Sequence, residues 1–378
     1  MTAAPTVERV TQALATVDDP EIRRPITDLG MVDSVDIGSD GRVRVGVLLT
    51  IEGCPLHDTI QRDVTLAVAK VPGVTGVEVG FGVMSEEQRQ SLQSQLMGDR
   101  GAREIRFAKP DSLTRVYAVA SGKGGVGKSS LTVNLAVAMA GLGRKVGIVD
   151  ADIYGHSVPR MLGVTGKPTQ VEQMIMPPTA DGIPVISIGM FTAGNSPVVW
   201  RGPMLHRALE QFLADVYWGD LDVLFLDLPP GTGDIAISVA QLIPPAEILV
   251  VTTPQQAASE VAERAGAIVV QTRQRIAGVV ENMSWLACPH CGEQVDVFGS
   301  GGGHAVAEAL GRVAGAPVPL LGQVPLDVRL REHSDAGEPL VRADPDSPAA
   351  KQIRSIADQL SARGRGLAGR PLGLTPVR

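Results

Sequence analysis

The chain has 378 residues, 44% hydrophobic and 20% charged, with a formal net charge of -7, which is ordinary globular material long enough for two domains. The moderate acidity and the absence of any long Lys or Arg run argue against a phosphate-tracking surface, so no nucleic-acid partner is expected. No segment reaches the ~18 consecutive apolar residues of a membrane span, and Glu8 and Arg9 interrupt the first apolar stretch, which excludes the apolar centre of a secretory signal.

Val7, Val10, Leu14 and Val17 recur at helical spacing, and Pro20 and Pro25 in "DDPEIRRPITDLGMV" break that helix. "SVDIGSDGRVRVGVLLT" predicts a hairpin around Asp40-Gly41, because period-two apolar residues flank a dipeptide that tolerates positive φ. A second helix follows, with Pro55 at its start and Leu56, Ile60, Val64 and Val68 on one face, which places Cys54 at a helix N-terminus. The strand "GVEVGFGVM" closes a small α/β unit over residues 1–84. Residues 85–113 turn polar and charged and read as a linker with some helical character.

From residue 114 onward apolar runs alternate with helices: "VYAVAS", "KVGIVD", "IPVISIG", "DVLFLDLP", "EILVVTTP" and "IAGVVENM". Continuous runs of this kind are buried on both faces, as in a parallel sheet covered by helices. Right-handed crossovers then make residues 114–364 a doubly wound, mostly parallel α/β domain. Its last helix puts Ile353, Ile356 and Leu360 on one side, and residues 365–378 read as a loose tail rich in Gly and Pro.

"VYAVASGKGGVGKSSLTVNLAVAMAG" sets a glycine-rich turn between a buried strand and a long helix, the context that makes a phosphate loop credible. Gly122, Gly124, Gly125 and Gly127 let successive N–H groups point at a phosphate, and the helix adds its positive dipole end. Lys128 is placed to reach the β- and γ-phosphates and Ser129 to ligate Mg2+. Lys123 is too far forward for its own phosphates and suits those of a facing subunit. Asp150 and Asp152 end one strand and Asp227 another, where carboxylates face the crevice and can hold Mg2+ or orient water; singly, each could equally be a turn cap. "PPGTGD" after Asp227 has the glycines of a γ-phosphate-sensing switch or of a plain turn. Asn282 follows a strand, and its amide can donate and accept against adenine at once.

Of three cysteines, Cys288 and Cys291 stand too close for an ordinary structural disulfide, which fits a reducing cytoplasm and thiols kept for metal or redox use. Half a zinc knuckle, a redox dithiol and half of a shared cluster site all remain open for the pair. Cys54 is equally a small buried residue or a usable ligand.

"GKGGVGKSS", "VDADIYG", "DLPPGTGD", "ENMSWLACPHCG" and "FGSGGGHAVAEALG", in that order, resemble the Mrp-type (ApbC-type) iron-sulfur cluster carrier ATPases, and residues 5–84 resemble the small iron-sulfur assembly domain often fused in front of them. The deviant phosphate loop alone is shared with relatives of MinD, ParA and nitrogenase iron protein; the Cys-Pro-x-Cys segment narrows the likeness to the carriers. The resemblance implies a cytoplasmic homodimer that hydrolyses ATP with Mg2+, carries a 4Fe-4S cluster on Cys288 and Cys291 of both chains, receives it from an assembly scaffold and passes it to recipient apo iron-sulfur proteins. It implies the intersubunit role for Lys123 and a water-orienting role for Asp152. ATP contacts run through Gly122, Gly124, Gly125, Val126, Gly127, Lys128, Ser129 and Ser130, with Asn282, Pro325 and Asp327 near adenine; Ser129, Asp150 and Asp227 fall near Mg2+. A complete site within one chain would need two more ligands, and Cys54, His290 and His304 are scattered, so the missing ligands are expected from a second copy. A positional ATPase of the MinD or ParA kind and an ATP-driven reductase are the rival readings; the first predicts an amphipathic C-terminal helix or a basic patch, and the tail and acidic charge favour neither.

Overall fold

The computed structural model describes residues 4–20, 22, 24–50, 56–97, 104–152, 155, 157–191, 202–231, 234–255, 272, 274–288 and 290–363. Cys54, Pro55 and the tail from 364 therefore lie outside the described residues. Residues 1–103 with 169–176 form one unit, and 104–168 with 177–378 form the other.

In the first unit, helix α1 (Val7–Leu14) starts on Thr6, whose hydroxyl accepts the Arg9 N–H. Val10, Leu14 and Val17 are buried, while Val7, on the first turn, stays 49% exposed. Strands β1 (Val32–Ile37) and β2 (Arg42–Leu49) form the expected antiparallel hairpin, with Gly41 at φ 80°. Helix α2 (His57–Val68) then crosses to β3 (Gly76–Val83), which pairs parallel to β2. Along β2, Val43, Val45, Val47 and Leu49 point inward and their neighbours outward, the pattern of a sheet with one covered face.

The segment read as a linker, 85–113, is divided between the units. Its first half forms helix α3 (Glu86–Met97) in the first unit, with Leu92 buried. A reciprocal capping box starts that helix: Ser85 Oγ accepts the Gln88 N–H at 3.2 Å and Gln88 Oε1 accepts the Ser85 N–H at 2.8 Å. Its second half belongs to the other unit, where Phe107 is fully buried. Strands β6 (Thr169–Val171) and β7 (Met174–Met176) form a hairpin that groups with the first unit, although the sequence pattern assigned them to the second domain. Arg89 of α3 pairs with Glu172 in its turn at 2.8 Å.

The second unit is a doubly wound α/β layer structure. It contains β4 (Arg115–Ala120), α4 (Lys128–Gly141), β5 (Val146–Asp150), α5 (Val158–Met161), β8 (Thr179–Ala180) and β9 (Ile183–Ser187). The chain continues through α6 (Gly202–Ala214), β10 (Val223–Asp227), α7 (Asp234–Leu242), β11 (Glu247–Thr252) and β12 (Arg275–Asn282). Strands β13 (Leu286–Ala287) and β14 (Gln294–Val295), helix α8 (Gly302–Ala314), β15 (Leu320–Val324), α9 (Val328–Ala336), α10 (Leu340–Ala343) and α11 (Pro348–Ala362) complete it.

The eight-stranded sheet has the order β15-β12-β11-β4-β10-β5-β9-β8, parallel except for β8 against β9. The six apolar runs are its central strands; β15 was not among them, because "LLGQV" alternates in exposure at the sheet edge. α4 is buried along much of its length, through Leu131, Val133, Leu135, Ala136 and Met139, and α11 covers the same core with Ile353, Ile356 and Leu360 at 1% exposure or less. Among the described residues no helix is long and apolar enough to cross a membrane.

Candidate nucleotide site and cysteine turn

Strand β4 runs out into the glycine-rich loop, and α4 begins at Lys128. Gly125 and Gly127 hold φ of 77° and 78°, the left-handed region in which side chains are strained. At Gly127 a Cβ would also collide with Nδ2 of Asn282. The loop is pinned at two further points: Ser121 Oγ donates to the Lys123 carbonyl at 3.0 Å, and the Gly231 N–H from the segment after β10 donates to the Ser121 carbonyl at 2.9 Å.

Parallel pairing puts Asp227 of β10 opposite Asp150 of β5, so two fully buried carboxylates end adjacent strands. Asp227 accepts from Lys128 Nζ at 2.8 Å, Ser129 Oγ at 2.5 Å and Thr132 Oγ1 at 3.0 Å. Asp150 accepts the N–H groups of Asp152 and Val158 and the Ser187 hydroxyl. Burial, and then the nearby Asp227 carboxylate, push the Asp150 carboxyl well above the usual carboxylate range. Asp152, mostly buried, accepts the Gly155 N–H at 3.1 Å.

Two buried carboxylates and a serine hydroxyl form an all-oxygen donor set, which suits a hard divalent cation and would relieve the repulsion that raises Asp150. Mg2+ therefore fits the residues present. A phosphate chain fits the loop with its left-handed glycines and the adjoining helix start.

Other predicted positions are placed less directly. Lys123, half-buried, donates from Nζ to Gln255 Oε1 of its own chain. Asn282, 2% exposed, donates from Nδ2 to the Val126 carbonyl at 2.8 Å, while its Oδ1 is buried without a partner. The amide thus commits one of its two N–H donors to the loop and keeps its acceptor for a base. Pro325 directly follows Val324, the pairing partner of Asn282 across β12 and β15. Asp327 is engaged elsewhere: its carboxylate caps α9 by accepting the Arg329 N–H at 3.0 Å and also binds the Arg329 guanidinium. Ser130 faces α9, 3.2 Å from the Ser334 hydroxyl. Thr132, Ser187 and Gln255 escape a sequence reading. Only Thr132 carries a signal, lying four residues beyond Lys128 on the same helix face.

Cys288 and Cys291 sit at the tip of the β13–β14 hairpin. The Cys288 N–H donates to the Glu293 carbonyl and the Gly292 N–H to the Cys288 carbonyl, both at 2.8 Å, with Gly292 at φ 76°. Cys288 is half-buried and Cys291 exposed. The backbone N–H groups of Cys291 and His290, then the Cys291 side chain, favour the Cys288 thiolate and lower its pKa. Among the described residues no group of three or more His, Cys, Asp or Glu side chains is set to hold a metal. The tip by itself offers two cysteine sulfurs to whatever it binds.

Residues 112–361 match the family described as NUBPL iron-transfer P-loop NTPase, and residues 7–79 match the family described as iron-sulfur cluster assembly protein. The iron-sulfur cluster carrier protein of Mycobacterium tuberculosis is 66% identical over 366 residues, covering 97% of this chain and 96% of the relative. That of Bacillus subtilis (strain 168) is 39% identical over 357 residues, covering 94% and 97%. Among solved structures, a nucleotide-binding protein from Archaeoglobus fulgidus in complex with ADP shares 34% identity at a TM-score of 0.53, covering 65% of this chain and 96% of that one. Phosphate loop, paired strand-end carboxylates and cysteine turn, with these full-length likenesses, place the chain in the iron-sulfur cluster carrier family of P-loop NTPases.

Proposed function

We propose that this chain is a cytoplasmic, ATP-hydrolysing carrier of a 4Fe-4S cluster, which two copies hold between them through Cys288 and Cys291 of each and release to recipient apo iron-sulfur proteins. The observation that carries the reading is the shared root of the two sites. Asn282 at the end of β12 touches the phosphate loop, and six residues further on stands Cys288. A two-thiolate turn needs two more ligands for a tetrathiolate cluster, and a two-fold axis supplies an identical pair. The match of the first unit to an assembly-protein family supports receipt of the cluster from a scaffold.

In this reading Lys128 binds the β- and γ-phosphates and the loop N–H groups surround them. Ser129, Asp227 and Asp150 hold Mg2+, which neutralises phosphate charge when bound. Asp152 orients the attacking water and holds its proton, Lys123 reaches the nucleotide of the facing copy, and Asn282 Oδ1 accepts from the adenine amino group with Pro325 alongside. With both its carboxylate oxygens occupied by Arg329 and the cap, Asp327 shapes the base side of the site through its backbone.

Anaerobic reconstitution with iron and sulfide tests the cluster: roughly four irons per dimer are expected, falling to background in Cys288→Ala. Iron content that survives this substitution contradicts the shared site. ATP turnover that persists unchanged in Lys128→Ala contradicts the nucleotide assignment.

A further inference from the structure

Strand β12 ends in two adjacent side chains with separate duties. Asn282 reaches the phosphate loop. Glu281, fully buried, accepts Gln323 Nε2 of β15 at 2.6 Å on one carboxylate oxygen and the Gly303 N–H of α8 at 2.5 Å on the other. A carboxylate is taken out of water only where its oxygens are satisfied, and the nucleotide site makes no use of this one.

Its place in the chain gives it a role. Between Glu281 and Gly303 the polypeptide leaves the sheet, builds the β13–β14 hairpin with both cysteines, and returns. The outgoing root is held where Ser284 Oγ donates to the Glu281 carbonyl at 3.0 Å, the Ser284 N–H to the Val324 carbonyl at 3.0 Å and the Leu326 N–H to the Trp285 carbonyl at 2.8 Å. The returning root is Gly302-Gly303. A Cβ on Gly302 would lie 2.7 Å from the backbone of Thr253 and Pro254, and one on Gly303 2.8 Å from the Glu281 Cβ. Two glycines therefore let the first turn of α8 press onto the strand ends, where its dipole favours the carboxylate.

We propose that Glu281 is a positioning residue: standing at the outgoing root of the cysteine-bearing excursion, residues 283–301, it clasps the returning root and β15 with its carboxylate and ties the placement of both roots to the phosphate loop through Asn282. A displacement of Val126 when nucleotide binds is passed along one rigid strand end to the bonds that hold the cysteine turn. The link rests on the reading that the loop binds nucleotide and the cysteines bind the cluster.

The test uses the full-length, reduced, cluster-free protein carrying Cys54→Ser, so that only Cys288 and Cys291 react with iodoacetamide. Labelling rates and backbone hydrogen exchange over 284–303 are measured with and without Mg-ADP. In Glu281→Met a side chain of similar length offers no strong acceptor to the Gly303 N–H or the Gln323 amide, and the clasp is lost. In the swap Glu281→Gln with Gln323→Glu, the new amide donates to the carboxylate at 323 and still accepts from Gly303, so both bonds are kept. Glu281→Met should raise exchange over the excursion by about ten- to a hundredfold, the population change that loss of a hydrogen bond to a carboxylate implies. It should also abolish the effect of Mg-ADP on labelling while leaving ADP affinity unchanged, and the swap should retain the parental behaviour in both. Unchanged exchange in Glu281→Met, a persisting nucleotide effect there, no nucleotide effect in the parent protein, or a swap that behaves like Glu281→Met would each overturn the proposal. Failure of the underlying functional reading shows elsewhere, as ADP binding that ignores Lys128→Ala or iron binding that ignores Cys288→Ala.

Discussion

Lys128 and Asp227 are both withdrawn from solvent, at 6% and 0% exposure, so their ion pair cannot be opened on one side without leaving a buried charge. Thr132 shares that carboxylate and donates to it at 3.0 Å. Replacing it by Val keeps the shape and removes the donor, and should lower the stability of the second unit by about 1–2 kcal/mol in urea unfolding. Gly127→Ala should cost about 1–2 kcal/mol in left-handed backbone strain alone, and it displaces Asn282 as well, so weakened ADP binding measured by titration calorimetry is the expected companion. For the cysteine turn the sign is set by hydrogen bonds to sulfur. The depressed Cys288 thiol keeps its thiolate to lower pH, so in metal-free protein the pH midpoint of its alkylation should lie below that of free cysteine. The residue types at the loop were legible because a phosphate demands them in one order. Ser187 was not, since it meets Asp150 only through the pairing of β5 with β9.

At the scale of elements, helix α11 shows two kinds of stabilisation with different sizes. Its start is capped by Ser347, whose hydroxyl accepts the Ala350 N–H at 3.3 Å; Ser347→Ala should cost about 0.5–2 kcal/mol. Its inner face is core, and Ile353→Ala removes a fully buried side chain, so a loss of about 2–5 kcal/mol is expected in the same denaturation assay. If the two substitutions cost alike, the burial argument for this helix fails. The spacing of Ile353, Ile356 and Leu360 announced that face in advance, because 3.6-residue periodicity is a local property. Helix α3 showed only as some helical character within a linker, for the converse reason. Its apolar stripe is thin, and its beginning is written in the Ser85–Gln88 capping box rather than in hydrophobic pattern. The edge strand β15 and the β6–β7 hairpin escaped likewise, being short segments whose pairing partners are remote in sequence.

For the whole molecule, the decisive question is whether the proposed cluster site is completed within one chain or by two. Equal amounts of parent chain and of a Cys288→Ala, Cys291→Ala double variant, refolded together and reconstituted, should retain about one quarter of the parental iron if both chains must contribute ligands, because only a quarter of random pairs are parental on both sides. About one half would mean that each chain binds its own metal. The amino-acid sequence by itself determined the doubly wound class, the phosphate loop and the close pair Cys288 and Cys291, since each depends on residue order within a few turns of chain. Only the tertiary structure decided that Asn282 spends one amide N–H on Val126, that Asp327 is consumed by Arg329, and that Glu281 joins the returning root of the cysteine excursion to β15. Those outcomes are competitions between partners brought together from distant parts of the chain, and the winner is set by distance and burial in the folded state.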